Sequence, residues 1–436
     1  MKRIVLAFLF LAASFSIAIA EDGRKVINID RDWYFHRGDI NMNEALDVDY
    51  SDWRKLDVPH DWTIEEEYSQ NNGRENAFLP GGIGWYKKEI EWNPSWDSKE
   101  VDIEFDAIFT NSTIWLNGRL LGNRPQGYQG IRWRLTPYLK QGKNVLTVKV
   151  DNSLMPSSRW YQGAGIYRHV WLIEHGKMSV DRYGVWARTL SVKNNEADIF
   201  VETTVSTLYE ERADVKVNTI ILDDRGTEVA RSSKDLRMVW EKSSVSDTLK
   251  VVSPYLWSTD SPRMYDIVTR VIHNGQTVDE VRTPFGIRTM EFSPTSGFSL
   301  NGVGMKMKGV CLHQNMGGLG SVMTEDVWKR RLDMLKDMGC NAIRTSHYAY
   351  SPEFYDLCDR MGFLVIDEPW DGWYNWYGCH KAKNDYTIYF LQWWKQDLEE
   401  FIKRDRNHPC VAIWSCGNEV WGWDKRQYLQ WEIVDM

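Results

Sequence analysis

Asn418 and Glu419 close a stretch that runs from apolar Val411 to Trp414 through small Ser415, Cys416 and Gly417. Such a run reads as a buried parallel strand that stops at an amide and an acid. Three earlier strand ends carry His313-Gln314-Asn315, Arg344-Thr345-Ser346-His347 and Asp367-Glu368-Pro369-Trp370-Asp371. In a barrel of alternating strands and helices the C-terminal strand ends face the active site. Carboxyl groups there can act as acid, base or nucleophile, and a pair about 5–5.5 Å apart is what retaining cleavage of a glycosidic bond uses. Trp370, Trp373, Tyr374, Trp376 and Tyr377 lie beside them. Their ring faces can stack on the apolar faces of sugars, so a rim of aromatics and carboxylates suits a neutral sugar. The Asn-Glu pair alone could be a strand-to-helix turn whose Glu starts a helix, and a lone histidine at a strand end is more often structural. Polar residues at all four ends favour the rim.

The elements that must hold these ends alternate from about residue 297. Lys306 to His313 is strand-like. Thr324 offers an N-cap to a helix with Trp328, Leu332, Leu335 and Met338 at helical spacing and Gly339 as its stop. Ala342 to His347 is a second strand. Ser351 caps a second helix with Pro352 at its first position, Phe354, Leu357, Cys358 and Met361 form its apolar stripe, and Gly362 ends it. Phe363 to Glu368 is a third strand. A third helix carries Trp394, Leu398, Phe401 and Ile402 and breaks at Asn407-His408-Pro409; Val411 to Glu419 is the fourth strand. This alternation predicts a parallel sheet with right-handed crossovers, either doubly wound or half of a barrel. No Gly-rich phosphate loop follows the first strand, which disfavours a dinucleotide fold.

Two all-β regions precede it. Residues 25–175 alternate in short runs such as Val101 to Phe105 and Val145 to Val150, with Asn117-Gly118 as a hairpin signal. They predict a jelly-roll sandwich. Residues 180–288 repeat the pattern with fewer aromatics and predict an immunoglobulin-like sandwich without its disulfide, a spacer or interface with no chemistry of its own. All six cysteines, Cys311, Cys340, Cys358, Cys379, Cys410 and Cys416, fall in the last third. That clustering is unlike a disulfide scaffold, and no Cys/His spacing resembles a zinc site. A net charge of −8 without a long basic run argues against nucleic acid or an anionic membrane surface as partner. Residues 1–20 read as a signal peptide: Lys2 and Arg3, an apolar core from Ile4 to Ile17, and Ala18-Ile19-Ala20 before Glu21. Cleavage after Ala20 and a secreted or periplasmic protein are expected.

The chain resembles glycoside hydrolase family 2, the family of β-galactosidases, β-glucuronidases and β-mannosidases, from about residue 25 to its end. The motifs that carry the resemblance are Val58-Pro59-His60-Asp61-Trp62, Gly84-Trp85-Tyr86, Gly163-Ala164-Gly165-Ile166-Tyr167-Arg168, Asn341 to His347, and Arg406-Asn407-His408-Pro409 leading to Gly417-Asn418-Glu419. The resemblance implies a multidomain β plus α/β chain: signal peptide at 1–20, galactose-binding-like jelly roll at 21–177, immunoglobulin-like sandwich at 178–290 and the first half of a (β/α)8 TIM barrel at 291–436. It implies Glu419 as general acid/base and Asn418 as a hydrogen-bond partner of the sugar 2-hydroxyl. His313, Arg344 and His347 would line the glycone subsite, with the Arg159-Trp160-Tyr161 turn reaching the same pocket. Asp367, Glu368 and Trp370 are further substrate-binding candidates, and either acid could in principle be the partner carboxylate. By the resemblance, however, the nucleophile is a Glu on the seventh barrel strand. A full barrel takes roughly 250 residues, more than 297–436 provides, so the chain is expected to be the N-terminal part of a longer enzyme that lacks its nucleophile. Trp and Cys beside Glu419 are expected to raise its pKa by desolvation.

Some members hold Mg²⁺ beside the acid/base with a Glu and a His after the third strand; here Asp371 and Trp373 stand there, and no cofactor or metal is expected. Asn315 stands where a carboxylate is frequent in the family. The expected function is an exo-β-glycosidase, most β-galactosidase-like, acting on a β-linked oligosaccharide or glycoside. β-Glucuronidase, β-mannosidase or a non-catalytic carbohydrate-binding remnant are the competing readings, and a homo-oligomer is open for the full-length enzyme.

Overall fold

The computed structural model describes residues 23–209, 212–239, 241–374, 382–420 and 427–435. The expected leader at 1–20, and Trp376, Tyr377 and Cys379, lie outside the described residues.

Period-two alternation builds the first sandwich. Four strands run in the order 25–28, 170–175, 100–105, 131–134, and six in the order 54–56, 33–37, 82–91, 143–152, 112–116, 119–124. Val101, Ile103 and Phe105 from one sheet share a core with Leu146, Val148 and Val150 from the other, because alternate side chains of a strand leave the same face. Each large apolar side chain buried this way contributes about 1.5–3 kcal/mol. Asn117 and Gly118, at φ +52° and +77°, make the hairpin turn that the sequence predicts. The second sandwich pairs 178–193, 196–207 and 242–252 in one sheet and 228–238, 213–222, 265–273 and 276–285 in the other. Its core is separate, with Met178, Val201, Val217 and Ile267 among its members.

The α/β region has parallel strands Gly309–Leu312, Ala342–Thr345, Leu364–Asp367 and Val411–Trp414, paired in chain order. Helices Glu325–Asp337, Pro352–Met361 and Phe390–Asp405 connect them. This is the barrel alternative of the two parallel-sheet architectures. Thr324 and Ser351 occupy the expected N-cap positions with extended backbone, but neither side chain makes the capping hydrogen bond. The Ser351 hydroxyl instead accepts the Trp328 indole N–H at 3.0 Å. Gly362 does end its helix, at φ +73°. The fourth strand is shorter than expected. Pairing stops after Ser415, whose N–H reaches the Asp367 carbonyl at 2.8 Å; Gly417 at φ +137° then turns the backbone away.

Buried polar staples lock the three regions together. Asp61 of the jelly roll accepts from the Ser321 N–H and hydroxyl at 3.0 and 3.1 Å. Arg168 donates to Tyr128 O, Tyr350 O, Gln314 Oε1 and Ala349 O at 2.7, 3.2, 2.7 and 2.8 Å. Asn407 clamps the immunoglobulin-like edge through Ala187 N at 2.9 Å and Val185 O at 2.7 Å. These residues belong to the His-Asp-Trp, Gly-Ile-Tyr-Arg and Arg-Asn-His-Pro motifs. Asp61 and Arg168 fix the jelly roll against the strand ends, and Asn407 fixes the immunoglobulin-like sandwich to the α/β region.

Candidate active site

Glu368 follows the third strand directly and is completely buried. Its carboxylate takes Arg344 Nη2 at 2.7 Å, has His347 Nδ1 at 2.6 Å, and accepts the Ser415 hydroxyl. Arg344 Nη2 continues to Asn418 Oδ1 at 3.1 Å. Asn418 Nδ2 donates to Asp371 Oδ1 at 2.8 Å. Arg159 of the jelly roll then grips Asp371 with two parallel bonds, 2.7 and 2.8 Å, and its third nitrogen lies 3.4 Å from Glu419 Oε2. A single polar chain thus runs from the third strand across the fourth and back to the first domain. Fork geometry of this kind fixes orientation as well as charge.

Aromatic rings cover one flank. The Trp160 ring lies 4.7 Å from His313 and 5.5 Å from His347, centroid to centroid. Burial, then the neighbouring His347, push the His313 imidazole down to about 4. His313 is therefore neutral at pH 7 and can donate to or accept from a hydroxyl.

The structure brings His313, Arg344, His347, Glu368, Asn418, Glu419, Arg159 and Trp160 together as the sequence predicts, and corrects others. Asp367 does not face the rim, because adjacent residues at a strand end point to opposite sides. Its carboxyl accepts from Tyr355 OH at 2.6 Å, and burial, with Asp405 nearby, pushes it well above the ordinary carboxylate range, so it is an acid of the core and not of the rim. Tyr161 turns the other way, to Thr63 Oγ1 at 2.7 Å and to Asp61. Trp370 is only 2% exposed and packs edge-on against Phe390. Its indole N–H and that of Trp373 donate to the Cys416 carbonyl at 3.2 and 2.6 Å, supporting the turn that presents Asn418. Gln314 is buried against Arg168, at the domain seam. The expected apolar shell around Glu419 is not present among the described residues: its side chain is 62% exposed, and at φ +42° its backbone sits in the left-handed region.

Ser415 is a rim residue that the sequence does not single out, and Asp371, placed at the third strand end, is not among its substrate-binding candidates. Asp371 is weighed there only as a metal position, although an acid in the same strand-end stretch as Glu368 is a signal in itself. Ser415 gave none beyond its small size.

The fold also gathers Asp359, His408 and Cys410, whose ligand atoms lie within 4.8 Å of one another. Their chemistry is that of an ion pair. His408 Nδ1 is 2.6 Å from Asp359, and although burial alone would lower the imidazole, Asp359 raises it to about 9. Burial pushes the Cys410 thiol up. A protonated imidazole and a neutral thiol make poor metal ligands. The five described cysteines, this one included, are free thiols.

Three models of one family match the chain in succession: the sugar binding domain of glycosyl hydrolases family 2 over residues 26–176, the family's middle domain over 182–288 and its TIM barrel domain over 294–432. The β-galactosidase BoGH2A of Bacteroides ovatus is 43% identical over 401 residues, covering 91% of this chain and 47% of that protein. A crystal structure of a family 2 member from Bacteroides cellulosilyticus superposes with a TM-score of 0.90 at 34% identity, over 94% of this chain and 54% of that one. A Bacteroides uniformis β-glucuronidase structure matches with a TM-score of 0.79 at 25% identity, over 93% of this chain and 48% of its own. The chain spans about half the length of the relatives it matches.

Proposed function

The chain belongs to glycoside hydrolase family 2, and from that premise we propose that it carries the acid/base side of a retaining exo-β-glycosidase, β-galactosidase-like in its glycone. The observation that carries this reading is the contrast among the rim carboxylates. Glu368 is fully enclosed by Arg344, His347 and Ser415, Asp371 is gripped by Arg159 and Asn418, and Glu419 stands 62% exposed beside them. An acid/base must be open to solvent and to the leaving oxygen, and of the three carboxylates Glu419 is the one open to solvent.

In this reading Glu419 protonates the departing glycosidic oxygen and then, as carboxylate, takes a proton from the water that attacks the glycosyl intermediate. Asn418 is held at both ends of its amide, by Arg344 and Asp371, and a side-chain amide fixed in this way is a group of the type that hydrogen-bonds a sugar 2-hydroxyl. Arg344 and His347, locked on Glu368, hold the ring in place. The nucleophile comes from a later barrel strand, as the family resemblance implies.

Charge favours a neutral glycone over a uronate. Arg344 is paired with Glu368, Arg159 with Asp371, and His313 is neutral, so among the described residues the two rim arginines are compensated. We further propose that no metal sits beside Glu419: at the position in question Asp371 faces a guanidinium and an amide N–H, and Trp373 presents an indole N–H committed to Cys416. Export with cleavage after Ala20 rests on the leader-like residues 1–20.

The purified 436-residue chain tests the division of labour. Nitrophenyl β-galactoside should show no saturable hydrolysis. Clear turnover would overturn the placing of the nucleophile and return Glu368 to that role. Sequencing past codon 436 tests the rest: a continuing frame with a strand-end Glu supports the enzyme, and a clean stop supports a carbohydrate-binding remnant.

A further inference from the structure

A separate hollow lies away from the rim. It is an open groove of about 350 Å³, where strand 178–193 and the chain after strand 276–285 meet segment 406–409. Pro409 leads into the fourth barrel strand at the end opposite Asn418, so the groove is not part of the rim. Three arginines line it: Arg188 from the immunoglobulin-like sandwich, Arg288 just beyond its last strand, and Arg406 from the end of helix Phe390–Asp405. Among the described residues none of the three makes an ion pair, and no carboxylate lines the groove. His408 lines it too, but Asp359 at 2.6 Å matches its charge. Arg132, Arg182 and Arg282, in contrast, each hold a carboxylate. In a chain of net charge −8 the groove is a local inversion of sign.

Packing holds these charges in place. The Arg188 and Arg406 guanidiniums both rest over the Trp186 ring, 5.0 and 5.2 Å from its centroid. Arg288 Nη2 donates to Val411 O at 2.6 Å, and Arg406 Nη2 to Tyr183 O at 3.0 Å. The buried Nε of Arg406 has no acceptor among the described residues. Burial pushes Arg288 down to about 10 and lowers Arg406 as well. The acids that oppose these shifts, Asp359 and Glu202, do not line the groove. Like charges held near one ring repel each other, and an anion among them relieves both the repulsion and the cost of burial. Guanidinium forks match an oxyanion in shape as well as in charge. Leu190 and Met290 give the groove an apolar side, which leaves room beside the ion for a small organic body.

We propose that this groove is an oxyanion site, in which Arg188, Arg288 and Arg406 take a phosphate or sulfate group, free or as a small ester. Bound there, the anion ties the immunoglobulin-like sandwich to the approach of the fourth barrel strand. The site stands independently of the function given to the rim.

Phosphate, sulfate and phenyl phosphate are titrated by calorimetry into the 436-residue chain, at an ionic strength held constant with chloride. Variants Arg188→Gln and Arg288→Gln are titrated alongside. Arg119→Gln, at an exposed arginine of the jelly roll, removes the same charge elsewhere and serves as control. At least one of the three anions should bind the parent chain saturably. Each groove variant should weaken that binding about fivefold or more, and the control should leave it unchanged. Arg188 is exposed, so its variant keeps the test open even if loss of the Val411 bond unfolds Arg288→Gln; melting curves without anion show which variants are folded. Tighter binding of phenyl phosphate than of phosphate assigns an ester, and equal or weaker binding assigns the free ion. No saturable binding of any anion, indifference to Arg188→Gln, or an equal loss in Arg119→Gln overturns the site.

Discussion

The seams between domains and the rim of strand ends use the same residue types in opposite ways. At the seams Asp61 and Arg168 are buried and bonded on several sides. At the rim Glu419 is mostly exposed, and the groups around it are fixed by one another. Buried charge networks resist change because removing one partner strands the others. An exposed acid does not, so it can change protonation state during a reaction. Motifs that look equally distinctive in the sequence therefore divide into those that join the domains and those that line the candidate site.

The sharpest way to break this division is Arg168→Ala. Four acceptors lose their donor, and with about 1–3 kcal/mol for each stranded buried group the loss should reach roughly 3–5 kcal/mol in denaturant unfolding. Arg168→Lys should not restore it, since an ammonium lacks the planar fork. A loss below about 1 kcal/mol, within the range of ordinary surface changes, would remove Arg168 from the seam. Gly320→Ala should cost less, about 1–3 kcal/mol for a strained left-handed position. Gly320 sits at φ +62°, and a Cβ there would lie 2.2 Å from Asp61 Oδ2. Circular-dichroism melts of the two proteins decide it.

Smaller again is the pH response of the Asp359–His408 pair, which ties helix Pro352–Met361 to the approach of the fourth barrel strand. His408 is raised to about 9 in the folded chain from an ordinary 6.5, despite burial, by Asp359. Stability from this pair is therefore fully present below about pH 6.5 and is lost as pH rises through about 9. Melting temperature should fall across that window, and His408→Gln should flatten the fall. An equal slope in the variant would assign the effect to other groups. The smallest effect on stability belongs to the rim: Glu419→Ala should change unfolding by no more than about 0–1 kcal/mol, the ordinary worth of an exposed pair such as the one with Arg159. A larger loss would make Glu419 a structural residue.

Much of this molecule is legible in its sequence. The strand and helix alternation, the three-domain order and the polar strand ends follow from spacing, because periods of two and 3.6 residues are local properties. Side-chain direction at a strand end is not local. Asp367 and Glu368 are neighbours of similar chemistry, and only the packing of Tyr355 and Asp405 behind the sheet shows which one points away from the rim. Trp160 and Tyr161 pose the same problem, one facing His313 and the other Asp61. Asp371 becomes visible as the hub only when Arg159, 212 residues earlier in the chain, is brought to it. Gly417 is legible as a break, but not as the reason that Asn418 and Glu419 leave the ladder.

The leaving-group dependence of a Glu419 variant is the most direct test of Glu419 as the proposed acid/base. In a protein that joins this chain to the remaining barrel strands, Glu419→Ala should still attack a dinitrophenyl β-galactoside, whose leaving group departs without protonation. It should lose most activity on lactose, a drop of roughly 10²–10⁴-fold for a missing general acid. Added azide should replace the base in the second step and release β-galactosyl azide. Equal losses on both substrates, with no azide product, would contradict the assignment.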